Sequence, residues 1–125
     1  MKELILKKCL KCGAMVEVLE DCNCENCGIT CCGEQMKKLV PNMVDAASEK
    51  HIPQYEIVEN EIVVRVNHVM EEEHYIEWIA LVSDNRIGKK FLLKGDNPVV
   101  TFPYIKGSTI YTYCNRHGLW SNKVD

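Results

Sequence analysis

Short apolar stretches alternate with polar turns from residue 54 to the end of the chain. Five of these stretches are rich in β-branched and aromatic residues and predict β-strands at residues 62–66, 75–82, 90–93, 99–102 and 109–113. Asn, Asp, Gly and Pro residues separate them, as in Asp84-Asn85 and Gly95-Asp96-Asn97-Pro98. No segment carries a long apolar repeat of helical period. The pattern predicts a mainly β fold, either an antiparallel β-sandwich or a barrel.

The first 37 residues follow a different pattern. They are rich in cysteine, contain three of the seven glycines and lack aromatic residues. A segment this small cannot build a sufficient apolar core and needs a covalent or metal staple. Residues 38–53 read as a linker and an ordered loop, with a weak helical turn at 43–50. We therefore expect a small N-terminal domain at residues 1–37 and a β-sandwich domain at residues 38–125.

Composition and charge narrow the class of protein. The 125 residues are 46% hydrophobic and 26% charged, as in an ordinary globular protein. The net charge of −3 argues against a nucleic-acid partner, because such proteins usually carry a basic balance. No apolar stretch approaches the roughly 20 residues of a membrane span. The N-terminus has no apolar core of an export signal, so we expect a cytoplasmic protein.

Cysteine is the unusual residue in this composition. Seven of the eight cysteines lie between Cys9 and Cys32, and Cys114 stands alone near the C-terminus. In a reducing compartment, clustered cysteines hold a metal more often than they form disulfides. The cluster therefore predicts a metal site.

One half of this site is clear from spacing and the other half is open. The pair in Cys9-Leu10-Lys11-Cys12-Gly13 can place two sulfurs on one tetrahedral ion. The second pair is either Cys24 with Cys27, which repeats this spacing, or the adjacent Cys31 and Cys32. Cys22 is then a spectator. Four thiolates suit a structural zinc ion and a redox iron alike, so the spacing does not choose the metal.

The four histidines and the eighth cysteine form a second candidate group. Cys114 and His117 lie in one short loop after a predicted strand, and His68 and His74 lie before another. His51 is held close to Pro53, which restricts its loop. Together these side chains offer four imidazoles and one thiolate, one donor more than a structural zinc site uses. Such a set favours a redox metal with a sixth position open to a small ligand.

Several segments then combine into a specific resemblance. They are Cys9-Leu10-Lys11-Cys12-Gly13, Cys31-Cys32-Gly33-Glu34-Gln35-Met36, Glu49-Lys50-His51-Ile52-Pro53, His68 with Met70, His74-Tyr75-Ile76-Glu77-Trp78 and Cys114-Asn115-Arg116-His117-Gly118-Leu119-Trp120. In this order, and over nearly the whole chain, the sequence resembles the desulfoferrodoxin family of superoxide reductases.

The resemblance implies two iron centres. The first is a desulforedoxin-like iron with four cysteine ligands, which carry over to Cys9, Cys12, Cys31 and Cys32. The second is the reaction centre, whose ligands carry over to His51, His68, His74, His117 and Cys114. The family fold around it is an immunoglobulin-like antiparallel β-sandwich. The implied activity is reduction of superoxide to hydrogen peroxide, with electrons from a donor such as rubredoxin and a homodimeric assembly.

The resemblance also suggests roles for two charged residues. Lys50 would attract superoxide and organise a proton-donating water, since its ammonium is a compact charge on a flexible stem. Glu49 would fill the vacant iron position after product has left. On the residues alone, both are ordinary exposed charges.

The chain departs from the family at a few positions. The family usually has fewer residues between its two cysteine pairs and lacks Cys22, Cys24 and Cys27, and Val69 stands where a proline is common. These extra cysteines keep Cys24 and Cys27 open as the second pair of ligands.

Two other functions compete with the reductase. One is a zinc-ribbon binding module, which leaves four histidines and Cys114 unexplained. The other is a non-catalytic electron carrier in which both irons are closed.

Overall fold

The computed structural model describes residues 3–43 and 50–125. Within these ranges it contains twelve β-strands, and every pairing between them is antiparallel. The chain divides into a unit at Glu3–Val40 and a second unit that holds Pro41–Asp125. The helical turn predicted at 43–50 falls mostly on residues 44–49, outside the described part. No helix in the described ranges has the length and apolarity to cross a membrane.

The N-terminal unit is built on a three-stranded sheet in the order β2-β1-β5. Its strands are β1 (Ile5–Lys8), β2 (Met15–Val18) and β5 (Lys37–Lys38). A separate hairpin joins β3 (Thr30–Cys31) to β4 (Glu34–Gln35). The buried apolar residues of the unit are few: Leu4, Leu6, Cys9 and Met36. This small core agrees with the expectation that the unit needs a staple.

The C-terminal unit contains two antiparallel sheets. One has the order β10-β7-β6, from β6 (Gln54–Val58), β7 (Glu61–Arg65) and β10 (Val99–Pro103). The other has the order β12-β11-β8-β9, from β8 (Ile76–Val82), β9 (Ile87–Phe91), β11 (Thr109–Cys114) and β12 (Gly118–Lys123).

A single apolar cluster joins the two sheets. It contains Ile62 and Val64 of β7, Phe102 of β10, and Ile79 and Ile110 of the four-stranded sheet. In β7, buried and less buried positions alternate, as in a strand with one face on the core. The predicted antiparallel β-sandwich is therefore confirmed.

The sequence does not predict β6 and β12, and it places β9 three residues too late. β6 is largely exposed along its length, and the second half of β12 is polar, so neither shows a strong apolar pattern. β9 begins at Ile87 rather than at residue 90, because a tight turn closed by Ser83 N–H and the Arg86 carbonyl (3.0 Å) starts the return strand early.

Candidate metal centres

The loop between β11 and β12 supplies two of the candidate ligands. Cys114 is the last residue of β11 and is fully buried, and His117 lies just before β12. The pairing of β11 with β8 shifts register between Tyr113 and Cys114. Such an irregularity re-aims a side chain at the end of a strand. Gly118 has a φ of 79°, which lets the chain turn back immediately after His117.

His68 and His74 lie on the segment between β7 and β8. A tight turn holds His74 in place, since its backbone exchanges hydrogen bonds of 2.9 and 3.3 Å with Glu71. The Nδ1 atom of His68 lies 2.5 Å from the carbonyl oxygen of Val69. A proton on that nitrogen donates to the carbonyl and leaves Nε2 with a lone pair for a metal.

His51 is held from three sides. Its ring is buried and stacks on the Trp120 indole, with centroids 4.9 Å apart. The hydroxyl of Thr112 donates to the His51 carbonyl at 3.2 Å. Two residues further on, the Pro53 carbonyl accepts a hydrogen bond of 2.9 Å from the Asn122 side chain. The loop that carries His51 is thus fixed to the β11–β12 pair.

Asn115 links the two segments that bear the other ligands. Its side-chain oxygen accepts from the Tyr75 N–H at 3.0 Å, and its amide donates to the Glu73 carbonyl at 3.0 Å. Its backbone N–H also donates to the Tyr75 carbonyl at 3.2 Å. Because Asn115 follows Cys114 and Tyr75 follows His74, these bonds set the separation of the two segments.

The four imidazoles form a closed ring of neighbours. In the order His51, His68, His74, His117, successive ring centroids lie 4.6 to 4.9 Å apart and the planes meet edge to face. The Sγ atom of Cys114 lies 3.3 Å from His68 Nε2 and 3.8 Å from His117 Nδ1. The ligand atoms of all five side chains lie within 4.8 Å of one another.

These spacings fit one metal ion. Two nitrogens that bind an ion at right angles, each at about 2.1 Å, are about 3.0 Å apart. The distances from His117 Nδ1 to His51 Nε2 and His74 Nε2 are 2.9 and 3.2 Å. Imidazoles with a single thiolate suit iron, and five donors leave a sixth position for a small ligand. Cys114 is buried while three of the histidines are partly exposed, so solvent reaches the imidazole side.

Burial also favours the neutral, metal-binding form of the histidines. It lowers the pKa of His68, His74 and His117, and neighbouring imidazoles and Arg116 lower the pKa of His74 and His117 further. A lowered pKa keeps these rings neutral near pH 7, and the neutral ring is the form that binds metal.

Arg116 is a charged residue near the site that sequence reasoning missed. It lies between Cys114 and His117, and its guanidinium is 4.0 Å from the carboxylate of Glu73, the neighbour of His74. The signal available in the sequence was its position between two ligands. Lys50, to which the family resemblance gives a role, is exposed and adjacent to His51. Glu49 lies outside the described residues.

The second candidate centre gathers Cys9, Cys12, Cys31 and Cys32. Cys9 and Cys12 lie in a tight loop after β1, closed by a 3.0 Å hydrogen bond from Gly13 N–H to the Cys9 carbonyl. Cys32 and Gly33 are the central residues of the β3–β4 hairpin, with φ values of 54° and 78°. Positive φ at both positions is the geometry of a two-residue hairpin turn.

The four sulfurs are spaced for a tetrahedral ion. They lie within 4.8 Å of one another, with 3.6 Å between Cys12 and Cys31 and 3.9 Å between Cys31 and Cys32. Sulfurs at tetrahedral corners, about 2.3 Å from one ion, are about 3.8 Å apart. Hydrogen bonds from the Cys12 backbone lower the pKa of Cys9 to about 7, and the Cys12 side chain raises the pKa of Cys31 to about 12. A bound cation would favour the thiolate form of all four.

The alternative ligand pair, Cys24 with Cys27, is not what the structure assembles. Cys27 is joined to Cys22 by a disulfide, while Cys24 carries a free and exposed thiol. The hairpin pair therefore completes the four-cysteine group.

Comparison with known proteins places this architecture in a family. The family model described as Desulfoferrodoxin matches residues 43–123, the segment that holds all five ligands of the histidine–cysteine group. The chain belongs to the desulfoferrodoxin family.

Individual relatives extend the match to nearly the whole chain. The desulfoferrodoxin of Syntrophotalea carbinolica is 42% identical over 126 residues, which cover 98% of each chain. That of Nitratidesulfovibrio vulgaris is 44% identical over 118 residues and 90% of each chain. The crystal structure of the superoxide reductase from Treponema pallidum superposes with a TM-score of 0.70 at 32% identity and covers 94% of this chain and 98% of that one.

Proposed function

We propose that this chain is a superoxide reductase. It catalyses the reaction of one superoxide with one electron and two protons to give one hydrogen peroxide. The observation that carries the proposal is the closed ring of four imidazoles with the Cys114 sulfur on one side. Family membership and the likeness to a solved superoxide reductase support it.

The proposed ligands of the reaction-centre iron are His51, His68, His74, His117 and Cys114. Iron bound there supplies the single electron that superoxide accepts. Four neutral imidazoles and one thiolate leave a ferrous site with a net charge of about +1, which attracts an anion. Burial of Cys114 keeps its thiolate from solvent, while the partly exposed imidazoles leave a path for substrate and protons.

Three charged residues have proposed roles as well. Lys50 draws superoxide toward the site and orders a water that donates a proton. Arg116 adds a second positive charge on the His74 and His117 side. Glu49, which lies outside the described residues, would supply a carboxylate to the iron once product has left.

The N-terminal unit is proposed to be a desulforedoxin-like iron domain, at residues 1–37, that relays electrons to the sandwich domain at residues 38–125. Cys9, Cys12, Cys31 and Cys32 are its proposed ligands. A small electron-transfer protein such as rubredoxin is the proposed donor, a homodimer the proposed assembly and the cytoplasm the proposed compartment.

A stoichiometry experiment tests the activity. The iron-loaded protein, with a reducing donor in excess, receives superoxide while peroxide and oxygen are measured. The proposal predicts one peroxide for each superoxide, oxidation of the donor, and no oxygen release. A dismutase would release oxygen and give one peroxide for every two superoxides. A closed electron carrier or a zinc-ribbon module would form no peroxide above the background.

The Lys50→Ala variant tests the proposed steering. Removal of a positive charge near the site should slow the second-order reaction with superoxide and flatten its dependence on ionic strength, because screening acts on that charge. An unchanged rate and an unchanged salt slope would show that Lys50 has no steering role.

A further inference from the structure

Three cysteines lie outside both candidate metal groups, on the segment between β2 and β3. Cys22 and Cys27, five positions apart, are joined as a disulfide, and Cys24 between them has a free, exposed thiol. The metal centres use none of the three. The two metal groups therefore do not account for these three cysteines.

The disulfide is open to reagents and partners. Cys22 is exposed and Cys27 is partly exposed. Both line a surface cavity together with Lys7, Asp21 and Gly28. A disulfide in such a position is accessible to attacking thiols. Access is one of the factors that set the rate of thiol–disulfide exchange.

Each half of the disulfide is attached to a different part of the unit. On one side, the Asp21 carboxylate accepts from the Lys7 ammonium of β1 at 2.8 Å and from the Cys22 N–H at 2.9 Å. On the other side, the residues after Cys27 contact the hairpin: the Ile29 carbonyl accepts from the Met36 N–H at 2.7 Å.

The hairpin at the second attachment carries two ligands of the four-cysteine group. Gly28 lies so close to Gln35 of β4 that a Cβ atom there would come within 3.0 Å of the Gln35 side chain. Cys31 and Cys32 lie in the same hairpin. The bond between Cys22 and Cys27 therefore closes a short loop between the residues attached to β1 and those attached to the ligand-bearing hairpin, and its reduction removes that cross-link.

We propose that Cys22 and Cys27 are a redox-active thiol pair that controls how firmly the four-cysteine hairpin is held. Hydrogen peroxide oxidises the pair: the two thiols give up two hydrogens, one S–S bond forms, the O–O bond breaks and two waters leave. A dithiol reductant restores both thiols and becomes a disulfide itself. Cys24, whose thiol is free and exposed, stays outside this bridge. The inference rests on the proposed function only for the source of peroxide.

Thiol mapping of the full-length, iron-loaded protein tests the pairing. The protein is reduced with dithiothreitol, freed of reductant without air, and treated with graded hydrogen peroxide from one equivalent per chain. After alkylation and digestion, mass spectrometry should find a Cys22–Cys27 cross-link and an alkylated Cys24. Cys24→Ser should give the same cross-link and Cys27→Ser should give none. A dominant bridge that includes Cys24, or no bridge at all, would overturn the proposal.

Iron release provides the second readout. Because cross-links restrain opened states of a chain, we expect the oxidised protein to lose its four-cysteine iron to a chelator roughly tenfold more slowly than the reduced protein. The matched control, Cys22→Ser with Cys27→Ser, should release iron at the fast rate under both conditions. Equal rates in oxidised and reduced wild-type protein would refute the control of the hairpin.

The same samples separate this inference from the proposed function. If the cross-link forms but the protein makes no peroxide from superoxide, the proposed function fails and the thiol pair stands. If superoxide turnover is normal but reduced protein binds an extra metal ion that protects Cys22, Cys24 and Cys27, the thiol-pair assignment fails instead.

Discussion

Asn115 offers a sharp test of how the histidine–cysteine site is assembled. Asn115→Ala removes two side-chain hydrogen bonds of 3.0 Å, one to the Tyr75 N–H and one to the Glu73 carbonyl. At about 1 kcal/mol each, the loss is ~2 kcal/mol of unfolding free energy. For a unit of this size that lowers the midpoint of thermal unfolding by ~8–16 °C. The measurement uses metal-free protein, because bound metal adds its own stabilisation.

The same substitution should weaken the metal site. Asn115 spaces the segment of Cys114 and His117 from that of His74, and partners outside the ligand shell typically alter metal affinity by roughly 10–100-fold. We expect a loss near the lower end of this range, roughly tenfold, since Asn115 contacts backbone rather than ligand rings. Metal affinity is measured by competition with a chelator of known affinity.

Two variants control this experiment. Asn115→Asp keeps the oxygen that accepts from Tyr75 but loses the donor to Glu73, so its destabilisation should be about half, ~1 kcal/mol. Asn85→Ala lies in the turn at the opposite end of β8 and should change stability by less than about 0.5 kcal/mol. If Asn115→Ala unfolds and binds metal like the wild type, the linking role of Asn115 is wrong.

Two charge substitutions make further predictions. Arg116→Gln should slow the reaction with superoxide and flatten the dependence of its rate on ionic strength. The control Lys106→Gln, at the opposite end of β11, should change neither the rate nor its salt dependence. Stopped-flow kinetics at several ionic strengths measures both variants, and equal effects would refute local steering by Arg116. The hydrogen bond from Lys7 lowers the pKa of Asp21 below its ordinary value of 3.8. The ionised Asp21 carboxylate therefore stabilises the folded N-terminal unit above pH 3.8, and this stabilisation is lost as the pH falls through the lowered pKa of the folded state. Asp21→Asn should therefore destabilise the N-terminal unit at pH 6 but not well below pH 3.8 in denaturant titrations, and a pH-independent difference would contradict this reading.

Residue type and spacing pointed to both metal groups and to Cys9 and Cys12, and the family resemblance supplied the full ligand sets. Imidazole and thiolate groups are metal ligands, so their positions in the sequence indicate a metal site even when the fold is unknown. Strands with a buried face, such as β7 and β8, were predictable for the related reason that burial imposes an apolar pattern. The edge strand β6 has no such face and left little trace in the sequence.

Other features depended on three-dimensional proximity that spacing does not encode. The choice between Cys24 with Cys27 and Cys31 with Cys32 was open from spacing alone. In the structure, Cys31 and Cys32 lie with Cys9 and Cys12, whereas Cys27 is joined to Cys22, and neither arrangement is visible in the residue pattern. The position of Arg116 near the site could not be predicted either, because its partner Glu73 lies far away in the sequence and approaches the β11–β12 loop only in the folded chain.

Iron content and visible absorption of the wild type and Cys114→Ser test the central claim most directly. Cys114 is the single sulfur among five ligand atoms that converge within 4.8 Å. The account predicts iron at both centres of the wild type, with thiolate-to-iron absorption from each. In Cys114→Ser the band of the histidine–cysteine centre and superoxide turnover should be lost, while the four-cysteine absorption stays. Unchanged colour, iron content and turnover in this variant would contradict the account.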